Sequence, residues 1–313
     1  MTNWESLSGE NQTGIGVLIL VGFSSLNKLQ ILLFLVFLLT YLLTLMGNLL
    51  IVLLIKLNPS LHTPMYFFLV NLSISEICCT TSVTPQLLVH LLVEEKTISL
   101  TGCALQLYVF TVTGQTACCL LAAMAYDRFM AICRPLHYAT ILSDRVLIGI
   151  LVAVAETVLL FSLPLCGTHQ IPHYFCSAQP LQKMLCTYTW KNMIVDFSIL
   201  VLFVMGPFLL ITLSYVRIIS TILKLPSAEG RRNAFSTCSS HLTVVTLLYG
   251  TALLSYLNPT SSSTPESNQL IALMYTAVTP MLNPVIYSLR NKEVKGAFRN
   301  TVGKAIFSRS RRY

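Results

Sequence analysis

The sequence predicts an all-α membrane protein: a seven-transmembrane helix bundle with a short amphipathic cytoplasmic helix after the seventh span. Three observations predict it. Of 313 residues, 54% are apolar and 10% are charged, where a soluble domain has about a quarter charged. Seven long runs are nearly free of charge, each supplying the roughly 20 apolar residues that a helix needs to cross a bilayer. The 20 basic residues outnumber the 12 acidic ones and fall unevenly on the two sides of those runs. A soluble enzyme and a disordered chain are excluded by the same composition. Ten cysteines scattered through apolar runs do not describe a disulfide-stapled mini-scaffold.

In chain order, Leu29–Ile55 carries no charge, and Leu61–Val93 carries one acid, Glu76. Thr97–Tyr126 carries none, and Val146–Leu165 carries Glu156 alone. Phe197–Val216, Asn233–Pro265 and Ser267–Leu289 carry none, although the polar stretch from Asn258 reads as loop. None shows the strict alternation of a membrane strand. The amino-terminal tail and every second loop hold Lys28, Lys96, Lys183 and Lys191, and the other side holds the remaining 16 basic residues. That asymmetry predicts an extracellular amino terminus and a cytoplasmic carboxyl terminus. The expected organisation is a tail over 1–28, a bundle over 29–289 and a basic cytoplasmic tail over 290–313. No basic start precedes the first span, which is expected to serve as its own insertion signal.

Asn11-Gln12-Thr13 is a glycosylation sequon on the predicted outer side, while Asn71-Leu72-Ser73 lies inside a span and is expected to stay unused. In the basic tail, Val294, Ala297, Phe298, Val302 and Ile306 recur at helical spacing, which predicts an amphipathic helix on the inner leaflet. The loops are too short for a binding ectodomain or a soluble catalytic domain, so a small ligand must bind among the helices. No Walker-type loop, HExxH or Ser-His-Asp set supports an enzyme. No repeat relates the two halves, which argues against a transporter. Intramembrane charges are costly and so informative; here they are Glu76, Glu156 and Asp196, with Asp127 and Arg128 at the inner end of the third span. Four cysteines lie on the oxidising side, Cys103, Cys166, Cys176 and Cys186, and allow three pairings. A zinc site from His169, His173 and these thiols is the rival reading, disfavoured in an oxidising compartment.

The third span ends in MAYDRFMAIC (124–133) and the seventh in PMLNPVIY (280–287). A proline inside a helix leaves the carbonyl one turn back without a partner, and an adjacent Asn can satisfy or switch that site. With Gly47-Asn48 in the first span and Asn71-Leu72-Ser73 in the second, these blocks resemble the rhodopsin-like G-protein-coupled receptors. LHTPMYFFL (61–69), Ser214-Tyr215, AFSTCSSHL (234–242) and PMLNPVIYSLRN (280–291) narrow the resemblance to the olfactory receptors, over most of the chain.

The resemblance implies a plasma-membrane receptor for a small volatile odorant, coupled to a stimulatory, olfactory-type heterotrimeric G protein that raises cAMP. It implies no catalytic residue, cofactor or metal, and no nucleic-acid partner; membrane lipid surrounds it. The ligand residues it implies are Tyr108, Thr111, Val112 and Gln115 on the third span and Ile199, Leu200 and Phe203 on the fifth. Tyr249, Ala252, Leu253 and Tyr256 follow on the sixth, and Leu273 and Thr276 on the seventh. The switch it implies is Asp127, Arg128, Tyr215, Asn283, Pro284 and Tyr287, with a second-span polar site at Asn48 and Glu76. The pairings it implies are Cys103–Cys176 and Cys166–Cys186, making the loop a lid over the bundle. Four positions depart from the family: Phe129 for Tyr, Glu76 for Asp, Ala117 for Glu, and Ser177 for an acid. The missing acid at Ala117 counts against a sodium site. No acid stands over 103–114 to pair an amine, and the seventh span has no Lys for a Schiff base. The competing readings are a receptor of the same family sensing a metabolite in another tissue and, from another class, a seven-helix transporter or channel.

Overall fold

The computed structural model describes residues 16–23, 28–133, 141–165, 169–187, 189–224, 226–257, 265–290 and 294–299. The expected glycosylation site Asn11, Cys166, the side chain of Tyr256, and Val302 and Ile306 lie outside the described residues.

The first four spans are α1 (Gln30–Leu57), α2 (Pro64–Leu92), α3 (Leu100–Cys133) and α4 (Ile141–Ser162). A helix of five residues, α5 (Ala178–Gln182), lies in the loop between the fourth and fifth spans. The fifth span is α6 (Trp190–Leu200) continued through a π-helical turn, Val201–Met205, into α7 (Gly206–Leu223). The sixth is α8 (Ala228–Leu257). In the seventh, a second π turn, Met274–Val278, joins α9 (Pro265–Leu273) to α10 (Thr279–Arg290). Six of the spans are long and apolar enough to cross a bilayer, and Ile148–Ser162 gives a shorter apolar stretch in the fourth.

The surface carries the membrane's signature. Ile31, Met46, Leu105, Leu151, Phe197 and Leu254 are exposed, whereas Asn48, Glu76, Arg128 and Asn283 are buried. In water this arrangement would leave large apolar faces uncovered; in lipid the same faces are solvated and the polar groups are shielded.

Several boundaries differ from expectation, and three of them have a local reason. Residues 61–63 precede the second helix: Pro59–Leu61 form a 3₁₀ turn, and α2 opens at Pro64, where a missing N–H costs nothing. Thr97–Ser99 pair as a strand, so the third helix starts at Leu100 and runs through Arg128. The fifth span begins before Phe197, at Trp190. There the Asn192 amide oxygen accepts from the Thr189 backbone N–H at 3.3 Å and from its hydroxyl at 2.7 Å. Asp196 therefore sits inside a helix.

The sequence pattern does not reveal a small sheet that the structure contains. Strands β1 (Val17–Leu20), β2 (Thr97–Ser99) and β3 (Gln170–Ile171) are ordered β2-β1-β3. Leu18 faces Ile98 antiparallel, and Leu20 faces Ile171 parallel. Leu18 and Leu20 are fully buried while Val17 and Ile19 are exposed, the two-residue period of a half-covered strand. The sheet packs with Leu107, Cys176 and Leu181 at one end of the bundle. At the other end Leu61, Tyr66, Met124, Ile218 and Tyr287 form the main core. A last helix over 294–299 turns Val294 and Ala297 into that core and leaves Phe298 exposed.

Candidate ligand and switch sites

The segment 170–176 forms a lid inserted into the sheet-bearing end. Cys176 is bonded to Cys103, with Cα atoms 5.4 Å apart, and its N–H donates to Gln106 Oε1 at 2.8 Å. Cys186 is also disulfide-bonded; its expected partner Cys166 is outside the described residues. Phe175 and Tyr174 are buried, and Phe175 packs 5.1 Å from Phe110 of α3. The Tyr174 ring stacks on Phe23 at 5.4 Å. Phe23 holds a left-handed φ of 53°, a strained choice for a non-glycine residue. Its N–H donates to Gln269 Oε1 at 3.1 Å, which helps to fix it. His173 packs against the rings of Tyr174 and Phe175, each 4.7 Å away. Burial pushes its pKa down to about 4, because a charged imidazole loses its hydration there.

The expected ligand residues fall into two groups. Gln115 of α3 is 8% exposed, and neither its amide oxygen nor its amide nitrogen has a hydrogen-bond partner among the described residues. Gly149 of α4 faces it: a methyl group there would lie 3.7 Å from Gln115 Oε1 and 3.5 Å from the Phe203 ring. Phe203 belongs to the π turn of the fifth span, with Ile199 and Leu200 half-buried just before it. Tyr249 of α8 is buried beside Cys118, its ring 5.0 Å from Phe208. Tyr108, Thr111, Val112 and Ala252 are half-buried; Leu253 is 57% exposed and is not brought to the others. The second group, Leu273 and Thr276, lies with Tyr174, whose hydroxyl is 2.8 Å from Thr276 Oγ1.

Two unexpected π turns explain part of this layout. Each adds a residue to the helical register and rotates the next part of its span. Phe203 and Thr276 are the inward-facing buried residues of those turns.

A polar seam runs through spans one, two and seven. Pro284 leaves the Pro280 carbonyl without its helical donor, and Asn48 Nδ2 from α1 supplies one at 3.3 Å. The sequence pointed to Asn283 for that task. Asn283 Nδ2 instead donates to Glu76 Oε1. Asn48 is held there by close packing, because a Cβ on Gly47 would meet Pro284 Cβ at 2.9 Å. Asn48 Oδ1, Asn283 Oδ1, Thr279 Oγ1 and the Tyr287 hydroxyl are buried with no protein partner, which suits bridging water. Ala117 packs against the apolar core.

At the end away from the sheet, Arg128 is buried and lies against Tyr215 of α7 and Cys238 of α8. Asp127 is half-buried next to it. Phe129 packs on the main core, and its ring lies 6.1 Å from Tyr126. His241, fully buried, joins three spans: Nε2 is 3.1 Å from the Leu121 carbonyl and Nδ1 is 2.9 Å from the Tyr215 hydroxyl. A carbonyl only accepts, so in the neutral ring Nε2 carries the proton and Nδ1 accepts from Tyr215.

A family model described as "Olfactory receptor" matches residues 37–304. The chain belongs to the olfactory receptor family. It is 50% identical to human Olfactory receptor 10A3 over 295 residues, covering 91% of this chain and 94% of that one. It is 46% identical to human Olfactory receptor 10A7, covering 96% and 98%. Among solved structures, squid rhodopsin has the same fold, with a TM-score of 0.66 over 90% of this chain and 87% of that one at 16% identity. This olfactory receptor is a multi-pass plasma-membrane protein of the rhodopsin-like class. It signals through a heterotrimeric G protein and is not an enzyme.

His241 is the switch-region residue that sequence reasoning missed in this olfactory receptor. It sits inside AFSTCSSHL (234–242), and a polar ring on an otherwise apolar helical face was the available signal. The sequence offers Glu156 no evident partner. In the structure it shares a cavity of about 270 Å³ with Asp196 and Asn192, and Gln182 Nε2 donates to Asp196 Oδ2 at 2.8 Å.

Proposed function

We propose that this receptor binds a small, mostly apolar odorant beside Gln115, activates a stimulatory olfactory-type G protein and raises cAMP. The observation that carries the reading is Gln115 itself: an amide more than nine-tenths buried whose donor and acceptor are both unpaired. A buried amide in that state costs about 1–3 kcal/mol, which a ligand oxygen or nitrogen relieves. Phe203, which meets Gln115 across Gly149, and the apolar residues Val112 and Leu200 that the family resemblance adds favour a compact apolar body. The basic-residue asymmetry supports an extracellular sheet-bearing end and a cytoplasmic Arg128 end.

An odorant shifts the receptor only by binding the active arrangement more tightly than the inactive one. On activation the inner end of the sixth span swings outward. Arg128 parts from Asp127 and meets the carboxyl-terminal helix of the G protein, with Tyr215 beside it. Asn283, Pro284 and Tyr287 repack against Asn48 and Glu76. The test is cAMP in cells displaying the receptor, across volatile alcohols, aldehydes, ketones, acids, esters and amines, with surface staining matched. Arg128→Ala is expected to abolish the response. Gln115→Leu is expected to weaken oxygen-bearing agonists about tenfold, the worth of about 1.4 kcal/mol, and to spare hydrocarbon agonists. Full responses in Arg128→Ala at equal surface expression would overturn the coupling mechanism, and unchanged potencies in Gln115→Leu would overturn the ligand site.

A further inference from the structure

The Leu273–Thr276 group opens onto a cavity separate from Gln115, enclosed by spans one, two and seven and roofed by Tyr174. Its volume is about 280 Å³ including the mouth. Thr44, Thr80, Thr84 and Thr276 in its wall are each more than nine-tenths buried.

The hydroxyl protons of this wall are almost all committed. Thr40 donates to the Val36 carbonyl at 2.7 Å and Thr44 to the Thr40 carbonyl at 2.8 Å. Thr80 donates to the Glu76 carbonyl at 2.7 Å, and Thr276 to the Ala272 carbonyl at 2.9 Å. With the Thr276 proton committed, Tyr174 must be the donor in their 2.8 Å contact. Tyr41 donates to Thr81 at 3.2 Å. What these oxygens still offer is lone pairs. Thr84 differs: it lines the cavity, is 6% exposed, and makes no side-chain hydrogen bond among the described residues. Its hydroxyl is free to donate and to accept. The rest of the wall, including Phe37, Val83 and Leu87, is apolar, and no charged side chain lines it.

We propose that this cavity between spans one, two and seven is a second binding site, which takes the hydroxyl end of an uncharged alcohol entering from the bilayer. A wall of lone pairs selects a donor, and the free Thr84 hydroxyl meets the oxygen of that donor. An ammonium would also donate, but burying its charge with no carboxylate in the wall is unfavourable. The half-buried Thr40 and Ala277 line the cavity from spans one and seven, between which an aliphatic stem can trail into lipid. The enclosed space admits about one water-sized group, which a hydroxyl matches and a drug-sized body does not. A free aliphatic alcohol and a membrane sterol share this chemistry.

The test uses the full chain in sterol-free phosphatidylcholine nanodiscs. The probe is a ten-carbon alcohol bearing a mid-chain diazirine, and the control is its methyl ether, which has the same stem and no donor. After irradiation, label is expected in peptides holding 37–44, 80–87 and 273–277. The ether is expected to label them about fivefold less, the worth of one net hydrogen bond. Thr84→Val should lose label to a similar extent, and Thr84→Ser should keep it. Competition by unlabelled decanol alone assigns the site to a free alcohol, and competition by cholesterol assigns it to membrane sterol; either supports the proposal. Equal labelling by alcohol and ether in the unaltered chain overturns it, as does label found only on other lipid-facing peptides. The ether comparison needs no variant, so a misfolded Thr84→Val cannot obscure the result, and probe held at the Gln115 site would label peptides of the third and fifth spans, so the two sites are read separately.

Discussion

The sheet-bearing end and the Arg128 end of this bundle are held by different kinds of contact. At the first, a disulfide, a three-stranded sheet and the rings of Phe23, Tyr174, Phe175 and Phe110 fix the lid to the third span and the amino-terminal strand. At the second, spans three, five and six share the main apolar core, and the buried polar contacts that join them are the hydrogen bonds of one imidazole and the side-chain contacts of Arg128. Covalent and multi-ring contacts keep one geometry. A few hydrogen bonds, each contributing about 1 kcal/mol net, can be exchanged for others. The difference suits a receptor that must keep a ligand site in shape while its other end moves.

The largest expected effect is therefore at the lid. Cys103→Ser opens a cross-link between residues 73 apart in sequence, which costs about 4 kcal/mol in chain entropy. Surface staining should fall sharply and the detergent-solubilised protein should melt at a lower temperature. An unchanged melting point would mean that the sheet and rings suffice, and the comparison between the ends would lose its covalent half.

Gly47→Val tests the seam that links the two ends. Its side chain would drive into Pro284 and lift Asn48 away from the Pro280 carbonyl. Overpacking of this kind costs about 1–3 kcal/mol. Thermal stability should fall, and the odorant response with it, whereas Gly149→Ala, which meets only ordinary contacts, should leave stability unchanged.

Acid should loosen the lid. His173 has its pKa depressed from 6.5 to about 4 in the folded protein. At pH 7.5 both folded and unfolded forms are neutral there and the group contributes nothing. As pH falls below 6.5 the unfolded form takes up a proton that the folded form refuses, so stability is lost down to about pH 4. At pH 5 the loss is about 2 kcal/mol, from about 1.4 kcal/mol for each pH unit inside that window. The protection of amides over 170–176, measured relative to the intrinsic exchange rate at each pH, should fall at pH 5 relative to pH 7.5, and His173→Phe should remove the difference.

The spans were legible because a bilayer imposes length and charge limits that composition alone reveals, and Pro284, Glu76 and Arg128 stood out because polar groups in lipid need reasons. The sheet was not legible. Val17–Leu20 and Gln170–Ile171 are too short to show a period, and their pairing joins segments far apart in the chain. The partner exchange at the seventh span was half legible. The orphaned Pro280 carbonyl follows from Pro284, but which Asn reaches it depends on how closely α1 approaches, and that is set by Gly47 in the folded bundle. The π turns have no sequence signal of their own, so the division of the expected ligand residues into two groups required the structure.

The smallest predicted effect bears on the exchangeable end. His241→Ala removes the ring that joins Leu121 to Tyr215 and leaves a carbonyl and a hydroxyl to find other partners. Two net hydrogen bonds are lost, partly regained by water filling the space that the ring leaves between the carbonyl and the hydroxyl, so the folded state loses about 1 kcal/mol. Melting should shift little. Basal cAMP should rise, by up to about fivefold, because about 1 kcal/mol removed from the closed arrangement alone moves a two-state equilibrium by that factor. A basal level that stays flat while melting falls by several degrees would show His241 to be part of the static core, and the contrast between a fixed end and an exchangeable one would then rest on Arg128 alone.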